Sequence, residues 1–496
     1  MLTLHFLAID LGTQSIKAAI TNQLGEILAL SQQIQEVYSP NSGWAQQKPQ
    51  LWWDLTKKAI IEVIKKSSIK VETIKGICTC GQMHGPVGIG ENDEITTEWT
   101  QIWMDKRCED ICSLIRSKHN EVELANITGN PITPGWVGLK VRWIKANQPE
   151  IYKKTKWFLV PKDFINYKLT KIAATDYSEA SGTYLFDSKE ENYSKFMAEI
   201  LDIDLVKFAP IFNSYDIIGN IREDLAIELG IPLNTPVFAG GGDFIVSLLG
   251  LGMVGKETAI DMTGTSTLFV VYRDDPIVNP AVQNLRHVID GWLPFTMLDC
   301  GGLAMNWCKN LLSSTGLGEI SYEQMIEMAE KIPEGCDGLN FYPYLLGERK
   351  QDNTYAKGCF YGLSINHNAG HIARSVMEGV ALALGKDMQT FKDLGVNVKN
   401  VNCVGGATRN KLLYQIKANV MQIPHILSEE PEASLRGCAI LAAYGSRVFT
   451  DLKETTLFEN QNNIMIKPDK IVAETYNTMQ KEFNKMYEHL IGYWKQ

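Results

Sequence analysis

The chain opens on a short apolar run, Phe6-Leu7-Ala8-Ile9, that ends at Asp10. A Leu11-Gly12-Thr13-Gln14-Ser15 stretch breaks the run, and apolar positions resume from Ile16 to Ile20. This pattern predicts strand, tight turn, strand, with Asp10 at the end of a buried strand. Halfway along, Ala259-Ile260-Asp261 is followed by Gly264-Thr265-Ser266 and then by Leu268 to Val271, which is the same plan with one residue inserted. Elsewhere the period changes. Leu55, Ala59, Ile60, Val63 and Ile64 fall at helical spacing and predict a helix over 54–66. Residues 74–80 and 236–239 are strand-like, and 157–168 passes from strand to helix near Pro161. The second half continues the alternation, with helices expected over 303–312, 371–386, 433–448 and 470–496 and a strand over 401–404. Two similar strand-turn-strand units predict two related α/β domains with a ligand clamped between them, joined by an ordered hinge near Asp243.

Composition narrows the class. A chain of 496 residues with 45% apolar residues can build two or three domain cores. The formal net charge of −9 argues against a general nucleic-acid binder, a local basic patch aside. Ten cysteines include no C-x-x-C pair and suggest no disulfide framework, which fits a reducing cytoplasm. Cys78 and Cys80 lie in the apolar strand and read as core. The sequence begins without a basic leader or a cleavage pattern, and no apolar run reaches transmembrane length.

Several polar residues stand where chemistry can happen. Gly12 allows close backbone approach, and Thr13, Gln14 and Ser15 offer donors for phosphate oxygens. Asp10 can hold Mg²⁺ directly or through water; one such turn alone reads rather as a plain hairpin, and the second copy at Asp261 shifts the reading. Gly81-Gln82-Met83-His84-Gly85 follows a strand end, where ligands gather in open α/β sheets. Gln82 and His84 suit a polyhydroxylated ligand, or His84 is a buried histidine fixed in a turn. Asp105 can accept from sugar hydroxyls with Trp103 as an apolar wall, and can also cap a helix over 106–118. The polar run 175–183 reads as a loop able to line a cleft. Gly240-Gly241-Gly242 leaves room for a ligand or a hinge, and Asp243 follows at a helix start. That carboxylate is either a favourable N-terminal acid or a general base facing a substrate hydroxyl. Gly405-Gly406, before Ala407, is a third glycine turn suited to a nucleotide.

Taken in order, these motifs resemble the FGGY family of carbohydrate kinases over essentially the whole chain. The C-terminal signature fits Gly358 to Leu363, then seven residues, then His371 to Glu378. Within the family the motifs look most like those of the xylulokinases: Gly81 to Gly85, Gly43 to Trp53, Pro161-Lys162-Asp163, Ser181-Gly182-Thr183 and Pro343 to Arg349. The resemblance implies two actin-like, ribonuclease-H-type domains, 1–244 mainly for sugar and 245–496 mainly for ATP, with an active-site cleft between them. It implies that Asp243 is the catalytic base and that Asp10 and Asp243 serve Mg²⁺. Gln82, Met83, His84, Trp103 and Asp105 become sugar contacts. Gly12, Thr13, Gln14 and Ser15 match one phosphate turn and Gly264, Thr265 and Ser266 the other. Gly405, Gly406, Ala407 and Asn410 match the adenosine loop.

The implied activity is phosphorylation of a ketopentose by MgATP, D-xylulose to D-xylulose 5-phosphate. The implied partner is a small-molecule sugar, with no nucleic acid and no membrane, and a homodimer is left open. Three departures bear on the sugar. Phe244 stands where an Asn is usual, Met104 replaces the Asn of Trp-Asn-Asp, and Lys350-Gln351-Asp352 replaces the common Thr-Pro after Arg349. Another ketose, a polyol or a sugar acid is the alternative substrate. A non-catalytic sugar or nucleotide sensor is the alternative class.

Overall fold

A computed structural model describes residues 4–348, 353, 355–428, 432–452 and 463–495. Arg349 and the departure at Lys350-Gln351-Asp352 lie outside the described residues. The first sheet is built from β1 (His5–Leu11), β2 (Ser15–Asn22), β3 (Ile27–Ile34), β4 (Ile74–Gly81), β5 (Ile217–Asn220) and β6 (Pro236–Gly242) in the order β5-β6-β4-β1-β2-β3. The second is built from β7 (Thr258–Thr263), β8 (Thr267–Val271), β9 (Gln283–Arg286), β10 (Trp292–Leu298), β11 (Asn400–Val404), β12 (His425–Leu427) and β13 (Ile464–Ile466) in the order β9-β10-β8-β7-β11-β12-β13.

The duplication seen in the sequence extends to topology. In each sheet three antiparallel strands (β3-β2-β1 and β10-β8-β7) continue into two parallel ones (β4-β6 and β11-β12). β4 and β6 are almost wholly buried on both faces, as parallel strands covered by helices are, whereas β11 keeps half-buried Asn400 and Asn402. Ile77, Cys78 and Cys80 of β4 are buried, as the composition implied, and all ten cysteines are free.

Helices fix how the halves meet. α1 (Pro49–Lys66) begins earlier than the periodicity predicted, because Pro49 sits at its first turn and draws Trp52 and Trp53 into the core. α2 (Pro161–Thr170) starts at Pro161 as expected, and α3 (Tyr177–Ser181) is a single short helical segment. α4 (Asp243–Gly250) begins at Asp243. In the second half α5 (Ala369–Asp393), α6 (Lys411–Met421), α7 (Ala433–Gly445) and α8 (Ala473–Trp494) follow. α7 belongs to the C-terminal half by sequence, yet it packs against β1, β4 and β6 of the first sheet and against α4. Among the described residues no helix is long and apolar enough to cross a membrane.

Candidate active site

Strand register brings the two aspartates of the first half together. β4 lies between β1 and β6; Leu11 pairs with Gly81, and Gly81 pairs with Gly242. Asp10 and Asp243 therefore stand at the carboxyl ends of two parallel strands one strand apart, about 10 Å across the sheet by strand spacing. Asp10 Oδ2 accepts from the Ser434 hydroxyl of α7 at 2.7 Å. Its Oδ1 is buried with no protein partner. Burial raises the Asp10 pKa against the pull of Ser434 and Lys17. Burial also pushes Asp243 up, to about 7, with the charge on Asp10 adding to the rise and the Phe244 N–H opposing it. That N–H donates to Asp243 Oδ1 at 2.6 Å.

The glycines before Asp243 leave less space than expected, because protein atoms fill it. A Cβ at Gly240, where φ is +67°, would lie 1.8 Å from the Thr79 carbonyl oxygen. One at Gly242 would strike the Met83 side chain, 2.6 Å from its sulfur. The run is required by close packing of β6 on its neighbours.

The first turn and the motif after β4 are wired to each other. Thr13 Oγ1 donates to Gln82 Oε1 at 3.2 Å and accepts from Trp103 Nε1 at 3.0 Å. Gln82 Nε2 donates to Gln47 Oε1 at 2.7 Å, so both ends of this buried amide are occupied. The Gly12 carbonyl accepts from Gln35 Nε2 at 2.5 Å, and Ser15 Oγ accepts from Gln32 Nε2 at 2.9 Å. Gln14 is exposed. Met83 is buried against Gly242.

His84 has φ +68° and sets its ring edge-on to Trp136, centroids 5.1 Å apart. Burial, with the nearby Lys140 charge, lowers its pKa to about 3 and leaves the ring neutral, with Nδ1 lacking a partner. Lys140 looks like a surface residue in the sequence but is fully buried. Its ammonium donates to the carbonyls of His84 and Ile102, both at 2.9 Å.

Asp105 departs from its expected direct contact with the sugar. Its carboxylate accepts from Arg107 Nε and Nη2 and from the Ala45 N–H at 2.7 Å. Arg107 in turn lies 3.6 Å over the Trp44 ring. The lone pairs are spent on holding this loop. The following helix starts at Glu109, with Cys108 rather than Asp105 at its N-cap position and no side-chain capping bond. Trp103 and Met104 are partly exposed on a cleft of about 410 Å³ whose far wall carries Phe295, Thr296 and Tyr344 of the second half. Phe244 packs edge-on against Phe295, centroids 5.4 Å apart.

In the second half the 264–266 turn rests on the start of the helix Gly302–Leu312. The Gly264 carbonyl accepts from the Gly302 N–H at 3.0 Å, and that of Thr265 from the Leu303 N–H at 2.9 Å. Ser266 returns its carbonyl to the Gly264 N–H at 2.9 Å. Gly405 has φ +100°, and a Cβ there would lie 2.4 Å from the Thr263 carbonyl oxygen, so only glycine fits. A Cβ at Gly406 would meet nothing within 4 Å. Ala407 sits in the short turn Gly406–Arg409, and Asn410 caps α6 by accepting from the Leu413 N–H at 3.0 Å.

Asp261 has the position of Asp10 but a different environment. Its carboxylate pairs with the buried Lys417 ammonium at 2.6 Å and accepts from Thr263 Oγ1 at 2.5 Å. Cys403 and His425 offer metal-type ligand atoms beside it, but Lys417 already fills the role of the cation.

The polar run 175–183 is not a cleft loop. Thr175–Asp176 is a short strand, Tyr177–Ser181 is α3, and all of the run but Tyr177 is buried, with Asp176, Ser178 and Glu179 fully inaccessible. Sequence reasoning missed it because Asp176 and Ser178 find their partners far along the chain, Lys162 and the Gly242 N–H, while both carboxylate oxygens of Glu179 are buried without a protein partner.

Comparisons with known proteins identify the family. The N-terminal domain of the FGGY family of carbohydrate kinases matches residues 5–250, and the C-terminal domain of the same family matches 262–446. The chain is 28% identical over 489 residues to xylulose kinase from Bacillus subtilis, covering 98% of this chain and 97% of that one. It is 27% identical over 496 residues to xylulose kinase from Escherichia coli, covering 98% and 99% of the two chains. The crystal structure of xylulose kinase from Rhodospirillum rubrum superimposes with a TM-score of 0.93 at 26% identity, over 99% of this chain and all of the other. A gluconate kinase structure from Lactobacillus acidophilus has the same fold, with a TM-score of 0.93 at 23% identity over 99% of both chains. Matched by both domains along most of its length, the chain belongs to the FGGY family of carbohydrate kinases and is a sugar phosphotransferase.

Proposed function

We propose that the chain transfers the γ-phosphate of MgATP to a terminal hydroxyl of a ketopentose, with D-xylulose giving D-xylulose 5-phosphate. The observation that carries this reading is Asp243: a carboxylate at a helix start, one strand away from Asp10 at the carboxyl edge of the first sheet, with its pKa raised to about 7 by burial and by Asp10. A base of that strength is matched to taking a proton from an alcohol as it attacks phosphorus. Asp243 accepts the hydroxyl proton while the sugar oxygen forms the new bond to the γ-phosphorus and ADP leaves.

Asp10 and Asp243 are hard oxygen donors, and the unpartnered buried Oδ1 of Asp10 is an acceptor waiting for a cation. They would hold Mg²⁺, which supplies charge compensation for the phosphates when bound. The turns 12–15 and 264–266 cradle phosphate oxygens, and Gly405, Gly406 and Ala407, with Asn410 at the start of α6, flank the adenosine. Met83, His84 and Trp103 wall the sugar, while Gln82 and Asp105 act one layer back by fixing Thr13 and Arg107. We divide the domains at 244/245, with α7 inserted at their junction. Ten free thiols suit a cytoplasmic setting.

Phe244 favours a second reading. An aromatic ring adjoins the base where the xylulokinases usually carry an amide, which suits a ketose or polyol with fewer hydroxyls at that end. Asp243→Ala is expected to abolish sugar-dependent ADP release while ADP still binds; near-normal turnover would overturn the assignment. A panel of ketoses, polyols and sugar acids assayed with the parent protein separates the two substrates.

A further inference from the structure

We propose that Ser178 and Asp176 are positioning residues for Asp243, and that α3 ties the catalytic strand to the second sheet. The inference rests on the reading of Asp243 as the base. The Gly242 N–H, one residue before Asp243, donates to Ser178 Oγ at 3.1 Å. The Ser178 hydroxyl spends its proton on Asp176 Oδ2 at 2.6 Å, so its lone pair is aimed at Gly242. Asp176 Oδ2 also accepts from the Ser178 N–H at 2.9 Å and from the Ser214 hydroxyl at 2.8 Å, while Oδ1 faces Lys162 Nζ at 2.9 Å.

Lys162 closes the circuit. Its ammonium donates to the Ala239 carbonyl of β6 at 3.0 Å and to Asp163 at 2.5 Å. Burial works against this ammonium, but Asp163 and Asp176 outweigh it and hold it charged. One buried network thus grips β6 at two points, Ala239 and Gly242, just ahead of the base. Lys162, Asp176 and Ser178 have no solvent exposure, so these bonds are unscreened and directional.

The other end of α3 meets the second half at a buried contact. Ser181 Oγ accepts from the Arg286 N–H of β9 at 2.9 Å. Gly241 is wedged between the same helix and the second half: a Cβ there would meet Ser178 Oγ at 3.0 Å and Val288 Cγ1 at 2.4 Å. A five-residue segment therefore links the backbone that aims Asp243 to the sheet on the opposite side. Misplacing a reacting group by about 1 Å can cost on the order of a hundredfold in rate, so a strut of this kind acts on kcat.

The test is steady-state kinetics on the full chain with D-xylulose and ATP, or with the best sugar from the panel. Ser178→Ala is expected to lower kcat roughly ten- to a hundredfold while KM for ATP and ADP affinity stay within about twofold. Asp176→Asn keeps the shape but loses the charge that orients the serine proton. It is expected to give the same kcat-selective loss and serves if Ser178→Ala does not fold. Thr56→Ala, which removes a buried hydroxyl bonded to the Trp52 carbonyl in α1, controls for destabilisation and is expected to keep kcat. A folded Ser178→Ala or Asp176→Asn with parental kcat overturns the proposal, as does an equal kcat loss in Thr56→Ala. Asp243→Asn separates the layers: if it retains turnover, the base assignment fails; if it is inactive while Ser178→Ala is normal, only the strut fails.

Discussion

Asp10 and Asp261 occupy the same place in two duplicated sheets, each paired in register with a cysteine of the adjoining parallel strand, Cys80 and Cys403. Their partners differ. Asp10 keeps one buried oxygen without a protein partner, whereas Asp261 is closed off by Lys417 and Thr263. Asp10→Asn is expected to leave the melting temperature unchanged or slightly higher, because burial disfavours its charge, while kcat falls about a hundredfold. Asp261→Asn strands a buried ammonium and should cost about 3–5 kcal/mol. Urea unfolding alongside turnover checks both; a destabilised but active Asp10→Asn contradicts the division of roles.

The raised pKa of Asp243 makes a signed prediction about pH. The folded carboxyl titrates near 7 and the unfolded one near 3.8. Between those values the folded chain keeps a proton that the unfolded chain releases, so this group lowers stability as pH rises from about 4 to about 7. Asp243→Asn removes the slope. The melting temperatures of parent and variant should converge near pH 4 and diverge, with the variant higher, near pH 8. Turnover by the parent should fall on the acid side with an apparent pKa near 7.

Phe244→Asn replaces the ring beside the base by an amide. Losing the edge-on contact with Phe295 should cost about 1 kcal/mol in urea unfolding. The relative kcat/KM for D-xylulose against less hydroxylated ketoses is expected to rise by roughly tenfold, the value of one sugar hydrogen bond. An unchanged preference across the sugar panel removes Phe244 from the determinants of specificity.

Gly405 and Gly406 are neighbours with opposite tolerances. Gly405→Ala meets the Thr263 carbonyl and a φ of +100°, so the loop must move, and ADP affinity is expected to drop about tenfold or more. Gly406→Ala points into open space and should bind ADP within about twofold of the parent. Calorimetric titration of ADP into both variants decides it.

The sequence reading was strongest where local rules act. The turn after Asp10, its copy after Asp261 and the helix start at Asp243 follow from period, glycine and acid placement within a dozen residues. It was weakest where a polar residue is satisfied from far away. Gln82 reaches Gln47 across 35 residues and Asp105 reaches the Ala45 N–H across 60, so two residues with the chemistry of sugar ligands serve as braces. Lys140 and Lys162 carry the charge of surface residues, and only their carbonyl and carboxylate partners explain their burial. The stretch 175–183 reads as a loop for the same reason: Asp176 and Ser178 face inward onto Lys162 and the Gly242 N–H, which no local pattern signals.

The helix α7 has a consequence for how the molecule is made. It is encoded near the end of the chain, yet it covers β1, β4 and β6 and supplies Ser434 to Asp10 and, from its cap, Glu432 to Lys17 at 2.7 Å. As the protein leaves the ribosome, the first sheet, complete at Gly242, must wait for about two hundred further residues before α7 shields it, roughly ten to forty seconds at ordinary synthesis rates. During that interval the nascent first half is unfinished and exposes apolar surface. Its lifetime in that state, more than the stability of the completed enzyme, sets how heavily it depends on chaperones.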